Sequence, residues 1–289
     1  MRSLARAATL LFLLLAPAAA LALPPVWVVH DQDSDVTLFG SVHLLPQGVD
    51  WRPPQLDQAL AGANDVWFEA PMDAGSLSAA TQTALQHAFL PEGQTLQPML
   101  SAAGRERLAE AAKLVGVQVQ QFDRLQPWYA ELLISSAMYQ EVGVKASDGV
   151  EQTLWATVPN TAARHAFETP QEQVGFFADA PLPDQVASLE ETLKDLKDAK
   201  HDYQVLLKAW LAGDLKTLDR EVVRPLRKTS PALFARLVDA RNARWTESIV
   251  GRLHGSGHTV VVVGMGHLIG PGGLPALLRA RGYQVDGPH

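Results

Sequence analysis

Apolar positions follow one spacing at the two ends of the chain and another in the middle. Short β-branched runs, which predict strands, stand near both termini, and apolar residues three and four apart dominate between them. Val26–His30 and Val36–Phe39, separated by the polar Asp31-Gln-Asp-Ser-Asp35, predict a β-hairpin. An amphipathic helix is expected from Gln55 to about Gly62. Asp65–Ala70 predicts a short strand that carries Glu69 at its end and stops at Pro71.

Helices are expected over Leu77–Phe89, Ser101–Val115 with Ser101 as N-cap, and Pro127–Glu141. Another opens at Ser147 and ends at Pro159, and Arg164–Glu168 predicts a strand closed by Thr169-Pro170. Leu182–Leu211 carries one long helical pattern whose charged face reads as solvated. A short helix from Asp214 to about Val222 and a helix capped by Ser230-Pro231 and reaching Leu253 follow.

Thr259–Val263 is five β-branched residues in a row, the pattern of a strand buried on both faces. Gly264-Met-Gly-His267 then turns the chain, before a helix at 272–281 and a strand at 283–286. The fold class expected is α/β: a mixed central sheet assembled from N- and C-terminal strands and flanked by helices. Residues 76–145 form a helical insert, and helices over 76–145 and 182–222 are expected to cover or cap the sheet.

Composition changes this picture at the N-terminus. Arg2 and Arg6 precede an apolar run, and Ala20-Leu-Ala22 reads as a cleavage site, so residues 1–22 are expected to be a signal peptide. Residues 23–289 then form a single α/β domain that is periplasmic or secreted. The apolar run is shorter than the roughly 20 residues of a membrane span, and no cysteine is present to carry a lipid or form a disulfide. Removing Arg2 and Arg6 takes the net charge from −7 to −9. With no Lys/Arg run, that acidity argues against a nucleic-acid partner. Oligomeric state is not legible.

The chemistry concentrates in two strand-Gly-x-x-His units, Gly40-Ser-Val-His43 and Gly264-Met-Gly-His267. Ligands in open α/β sheets bind beyond the carboxyl ends of the strands, which puts His43, Glu69 and His267 at one rim. Two imidazoles and a carboxylate form a facial ligand set with positions left for water and substrate.

Rival motifs are absent: there is no H-E-x-x-H, no G-x-S-x-G and no phosphate-binding G-x-x-x-x-G-K-[ST]. Gly264-x-Gly266-x-x-x-Gly270 with Asp286 has the outline of a dinucleotide fingerprint. It is set aside because three residues after Asp286 leave no room for the strands completing such a domain, and an exported chain meets little nicotinamide cofactor. The three aspartates between the first strands lack the glycine and distal glutamate of a calcium loop. The other histidines lack the strand-tip glycine and are assigned to surface or core packing.

Gly40-Ser-Val-His43, Glu69, Ser147-Asp-Gly-Val-Glu151, Phe167-Glu-Thr-Pro-Gln-Glu-Gln173, Asp239-Ala-Arg-Asn242 and Gly264-Met-Gly-His-Leu-Ile-Gly270 follow one another in this order. Together they resemble the TraB/GumN family and, at one remove, the Tiki proteases and the erythromycin-esterase and ChaN-like superfamily. The resemblance implies a divalent-metal-dependent hydrolase acting on a peptide or protein substrate, with His43, Glu69 and His267 as metal ligands. Manganese or cobalt is suggested by the Tiki likeness, zinc by the ligand types.

By the same resemblance Arg241 stabilises an oxyanion or holds a substrate carboxylate; read alone it is a helix-surface ion pair with Asp239. Glu168 either faces the site or caps the helix starting at Pro170, and Asn242 either orients a ligand or caps a neighbouring backbone. Glu151, on a helix, is left unassigned. Two other functions stay open: a catalytically silent module for haem, a peptide or a polysaccharide-export partner, and a metal-free esterase-like hydrolase with a histidine base.

Overall fold

The structure is a computed structural model describing residues 23–288; the expected leader over residues 1–22 lies outside them. Eight strands form in chain order: β1 (Val26–His30), β2 (Ser34–Ser41), β3 (Leu45–Pro46), β4 (Asp65–Phe68), β5 (Val144–Lys145), β6 (Ala163–Ala166), β7 (Gly257–Gly264) and β8 (Gln284–Asp286). Six make one sheet in the order β6-β4-β7-β2-β1-β8, and β3 and β5 pair separately. The expected α/β class with a mixed sheet is what the chain adopts.

β7 lies between β4 and β2 and runs parallel to both, which is why its sequence is solidly apolar: Val260–Val263 are each at most 1% exposed. β6 is parallel to β4. Four neighbouring strands therefore end at the same edge. β1 is antiparallel to β2 and to β8, which makes the sheet mixed.

The buried apolar residues form two clusters. One contains the sheet, the helices at Pro54–Gly62, Val150–Thr157, Ala240–Leu253 and Leu274–Ala280, and the far end of Ala199–Leu211, where Trp210 meets Phe39 and Trp51. The second contains Leu96, Leu108, Phe122 and Ile134 of the helical insert together with Leu189 and Leu193.

That division corrects the expectation of one continuous helix over Leu182–Leu211. The helix breaks between Asp195 and Ala199. Its first half buries Leu189 and Leu193 against the insert, and its second half buries Ala209 and Trp210 against the sheet. Each half serves a different core, and the break lets the chain pass between them. Of the segments expected to cover or cap the sheet, only residues 199–222 therefore do so, whereas the insert buries its apolar residues in its own cluster with the Leu182–Asp195 helix.

Local signals hold closely elsewhere. Ser101 accepts the Gly104 N–H as an N-cap, and Thr169 and Glu172 form a reciprocal capping box that ends β6 and opens the helix at Pro170. Ser230, expected to cap, makes no side-chain cap bond. The run from Pro231 to Leu253 instead contains a wide π turn at Ala235–Asp239, and a second π turn occupies Asp219–Val223. Such turns shift the phase of the helix that follows them. The first immediately precedes Arg241.

The loop carrying His267 is held by backbone packing at Gly273. A Cβ there would lie 2.7 Å from the Leu268 carbonyl oxygen, whereas a Cβ at Gly266 would meet nothing within 4 Å. Gly273→Ala is expected to destabilise the protein by about 1–3 kcal/mol, and Gly266→Ala by less than about 0.5 kcal/mol. Urea denaturation compares the two, and equal effects would contradict this packing.

Candidate functional site

The site forms where β2, β4, β6 and β7 end. Ser41 pairs with Gly264 across β2 and β7, so the two Gly-x-x-His turns leave the sheet side by side. At Gly40 the Met265 side chain packs over the backbone, in the space a Cβ would take. β4 and β6 continue their pairing just past their ends, with Phe167 N–H donating to the Phe68 carbonyl and Glu168 N–H to the Glu69 carbonyl, both at 2.9 Å. Glu69 and Glu168 are thereby neighbours, and Glu69 Oε1 accepts the Gly264 N–H at 2.6 Å, tying the tip of β4 to that of β7.

Arg241, on the helix Ala240–Leu253, lies between the two carboxylates. Its Nε and Nη2 donate to the two oxygens of Glu168, each at 2.8 Å, and Nη2 also donates to Glu69 Oε2. Its Nη1 donates to the Leu237 carbonyl and faces His267 Nε2, both at 3.1 Å. The guanidinium carbon stands 4.6 Å from the Trp245 ring centroid and 4.9 Å from that of Phe176, in cation–π geometry. The surface pairing with Asp239 is not what forms: Arg241 is buried.

Glu168 faces the site rather than capping the Pro170 helix, a role Thr169 takes. It also accepts Gln173 Nε2 at 2.8 Å and Arg244 Nη2 at 3.2 Å. Burial alone would raise the Glu69 carboxyl. The His267 ring, the Arg241 guanidinium, His43 and the Gly264 N–H together bring it down to about 2.

Each histidine is fixed through Nδ1. Asn242 donates Nδ2 to the Gly272 and His267 carbonyls at 2.7 and 3.2 Å, which leaves its Oδ1 facing His267 Nδ1 at 2.6 Å. That network assigns the proton to Nδ1 and the lone pair to Nε2. Burial lowers the His267 pKa to about 4, so the ring is neutral at pH 7. Trp245 packs on it at 4.5 Å between centroids.

His43 Nδ1 lies 2.7 Å from Glu151 Oε1, which also accepts the Ser41 hydroxyl. Glu151 raises the His43 pKa, an attraction that water screens because the ring is 66% exposed. Sequence reasoning left Glu151 unassigned. Its signal is tertiary: the Val150 N–H donates to the Val42 carbonyl at 3.1 Å, pinning the first turn of this helix to the His43 turn. Of the other histidines, His258 pairs with Asp35 and His30 with Asp286, both outside this site.

The donors converge on one position. A Cβ on Gly264 would lie 3.1 Å from Glu69 Oε1, 3.8 Å from His267 Cδ2 and 3.9 Å from His43 Nε2. Two imidazoles and a carboxylate are residue types that bind divalent cations, and their Nδ1 atoms are held by Asn242 and Glu151, the outer partners such ligands need. Their spacing does not complete a site: among the described residues no group of three or more His, Cys, Asp or Glu is placed to hold a metal ion. Arg241 Nη1 shares the His267 Nε2 lone pair, and His267 Nε2 stands 3.7 Å from Glu69 Oε1.

A model of the TraB/PrgY/gumN family matches residues 25–287. The uncharacterized protein YbaP of Escherichia coli (strain K12) is 24% identical over 244 residues, covering 84% of this chain and 87% of its own. An uncharacterized protein of Treponema pallidum (strain Nichols) is 21% identical over 267 residues, covering 88% and 80% respectively. No solved structure matches significantly.

Removing the guanidinium leaves two buried carboxylates without their cation. Arg241→Met is expected to cost about 3–5 kcal/mol in stability, the scale for breaking a buried pair from one side. Arg244→Met, at the exposed margin, should cost under about 1 kcal/mol. Urea denaturation of both variants measures this, and similar losses would show that Arg241 is not the central cation.

Proposed function

This chain belongs to the TraB/PrgY/gumN family, and from that premise we propose that it is an exported metal-dependent hydrolase acting on peptide or protein substrates. The observation that carries the reading is the convergence of His43 Nε2, Glu69 Oε1 and the His267 ring on the space above Gly264. The leader-like pattern of residues 1–22 supports export. Among the described residues no helix is long and apolar enough to cross a membrane.

His43 and His267 through Nε2, with Glu69 through Oε1, would hold the ion. A divalent manganese, cobalt or zinc ion bound there would supply Lewis acidity and lower the pKa of water. Glu151 and Asn242 keep each imidazole in the tautomer that presents Nε2. Arg241 provides fixed positive charge beside the donors, where an oxyanion develops during attack on a carbonyl. Glu168 holds that guanidinium in place through two hydrogen bonds.

Water is the nucleophile in this reading. There is no cysteine, and the Ser41 hydroxyl is spent on Glu151 rather than on an imidazole. One observation favours a second, metal-free reading: Arg241 Nη1 already engages His267 Nε2 at 3.1 Å. In that reading His43, oriented by Glu151, acts as general base on water.

Metal analysis of the mature protein, followed by cleavage of a peptide library with and without manganese, separates these readings. The expected result is hydrolysis that a chelator abolishes, that His267→Ala and Glu69→Gln eliminate, and that Asn242→Ala lowers about 10–100-fold together with metal affinity. Chelator-resistant hydrolysis lost in His43→Ala would establish the metal-free route. No bound metal and no hydrolysis would sink both.

A further inference from the structure

A cavity of about 310 Å3 opens beside the site, with His43 and Gly264 among its lining residues. We propose that it receives one bulky apolar side chain, aromatic or branched aliphatic, from the substrate residue next to the bond that is cut. The proposal rests on the hydrolase reading for its substrate, and on the cavity alone for its selectivity.

The wall is apolar by composition and by hydrogen bonding. Leu206, Trp210, Val222, Val223, Met265 and Ile269 line it, and His43 is the only lining residue that can carry charge near neutral pH. The polar atoms that the wall does contain are largely spent elsewhere. Trp210 Nε1 donates to the Gly40 carbonyl at 2.9 Å, Tyr203 Oη to the Leu44 carbonyl at 3.0 Å, and Ser41 Oγ to Glu151. A charged side chain entering here would lose its water, and the one ionisable group in the lining, His43, is already engaged by Glu151.

Size and rigidity point the same way. The volume sits at the low end of the roughly 300–1,000 Å3 of small-ligand sites, which suits one large side chain. The wall is stiffened by aromatic packing of Trp210 on Phe39 and Trp51, and of Tyr203 on Tyr139. His43, Leu44 and Tyr139 also line a second, larger cavity, with Leu132, Gln140 and Lys145 on its far side. A peptide lying across His43 would therefore place one residue in the first cavity and continue along the second.

The test uses the mature protein with manganese and a set of blocked tetrapeptides in which each position in turn is Phe, Leu, Ala or Asp. At one position kcat/KM should favour Phe or Leu over Ala by about 10–100-fold, the range that follows from burying such a side chain, and Asp should be refused. Val222→Trp, at a half-buried lining position, fills the cavity and should erase the preference while Ala peptides are still cut. Leu206→Ala enlarges it and should shift the optimum towards Trp.

Cleavage without apolar preference, or a preference that neither variant moves, overturns the proposal and leaves the hydrolase reading standing. If the wild type cuts nothing, that reading fails. Calorimetric titration with the same peptides then decides the cavity: Phe should bind at least about tenfold tighter than Ala in the wild type and not in Val222→Trp. Equal affinities would overturn it.

Discussion

The Arg241 guanidinium, buried between Glu69 and Glu168, is the interaction on which the rest of this edge of the sheet depends. A buried arginine is tolerated only where its donors are matched, since unpaired charge in a protein interior costs several kcal/mol. Here every nitrogen of the guanidinium has a partner. Those partners come from the tip of β4, the tip of β6, the preceding helical turn and the loop after β7. The same charge that keeps Glu69 ionised therefore also joins four segments that are far apart in sequence.

Parallel strands make that convergence possible. Because β2, β4, β6 and β7 run the same way, the residues that follow each of them collect at one edge. Two glycines then decide how closely they collect. Gly40 leaves room for Met265, and Gly264 leaves the space on which Glu69 and both histidines converge. A Cβ at Gly40 would displace the Met265 side chain, and one at Gly264 would crowd the Glu69 carboxylate.

The sequence made the scaffold legible wherever local physics decides. The Val260–Val263 run, the Ser101 cap and the glycines near the ends of β2 and β7 each have one structural meaning, and each has it here. The break between Asp195 and Ala199 was not legible. Both halves keep helical spacing, no Gly or Pro marks the join, and only the existence of two cores requires it. At the site, His43, Glu69 and His267 stand out through their strand-tip positions. Arg241, Glu168 and Asn242 each carried two readings, because a helical arginine or a strand-end glutamate looks the same whether it faces inward or outward. Glu151 was passed over for that reason: its partner lies 108 positions away along the chain, and nothing in a helix's first turn announces such a contact.

The charge balance of the cluster bears on what it can hold. Glu69 and Glu168 flank the buried guanidinium, Glu168 also pairs with Arg244, and Glu151 pairs with His43, so each carboxylate already has a partner. The carboxylates favour a cation over an anionic ligand, and Arg241 works against it by repelling a cation and by sharing the His267 lone pair. The two effects are carried by different atoms. Glu151 and His43 lie on the open side, away from the guanidinium's own hydrogen bonds, whereas Glu168 is consumed by Arg241 and its neighbours. The two histidine turns thus meet different surroundings: His267 is buried against Arg241, Asn242 and Trp245, whereas the His43 ring is exposed where the apolar cavity begins.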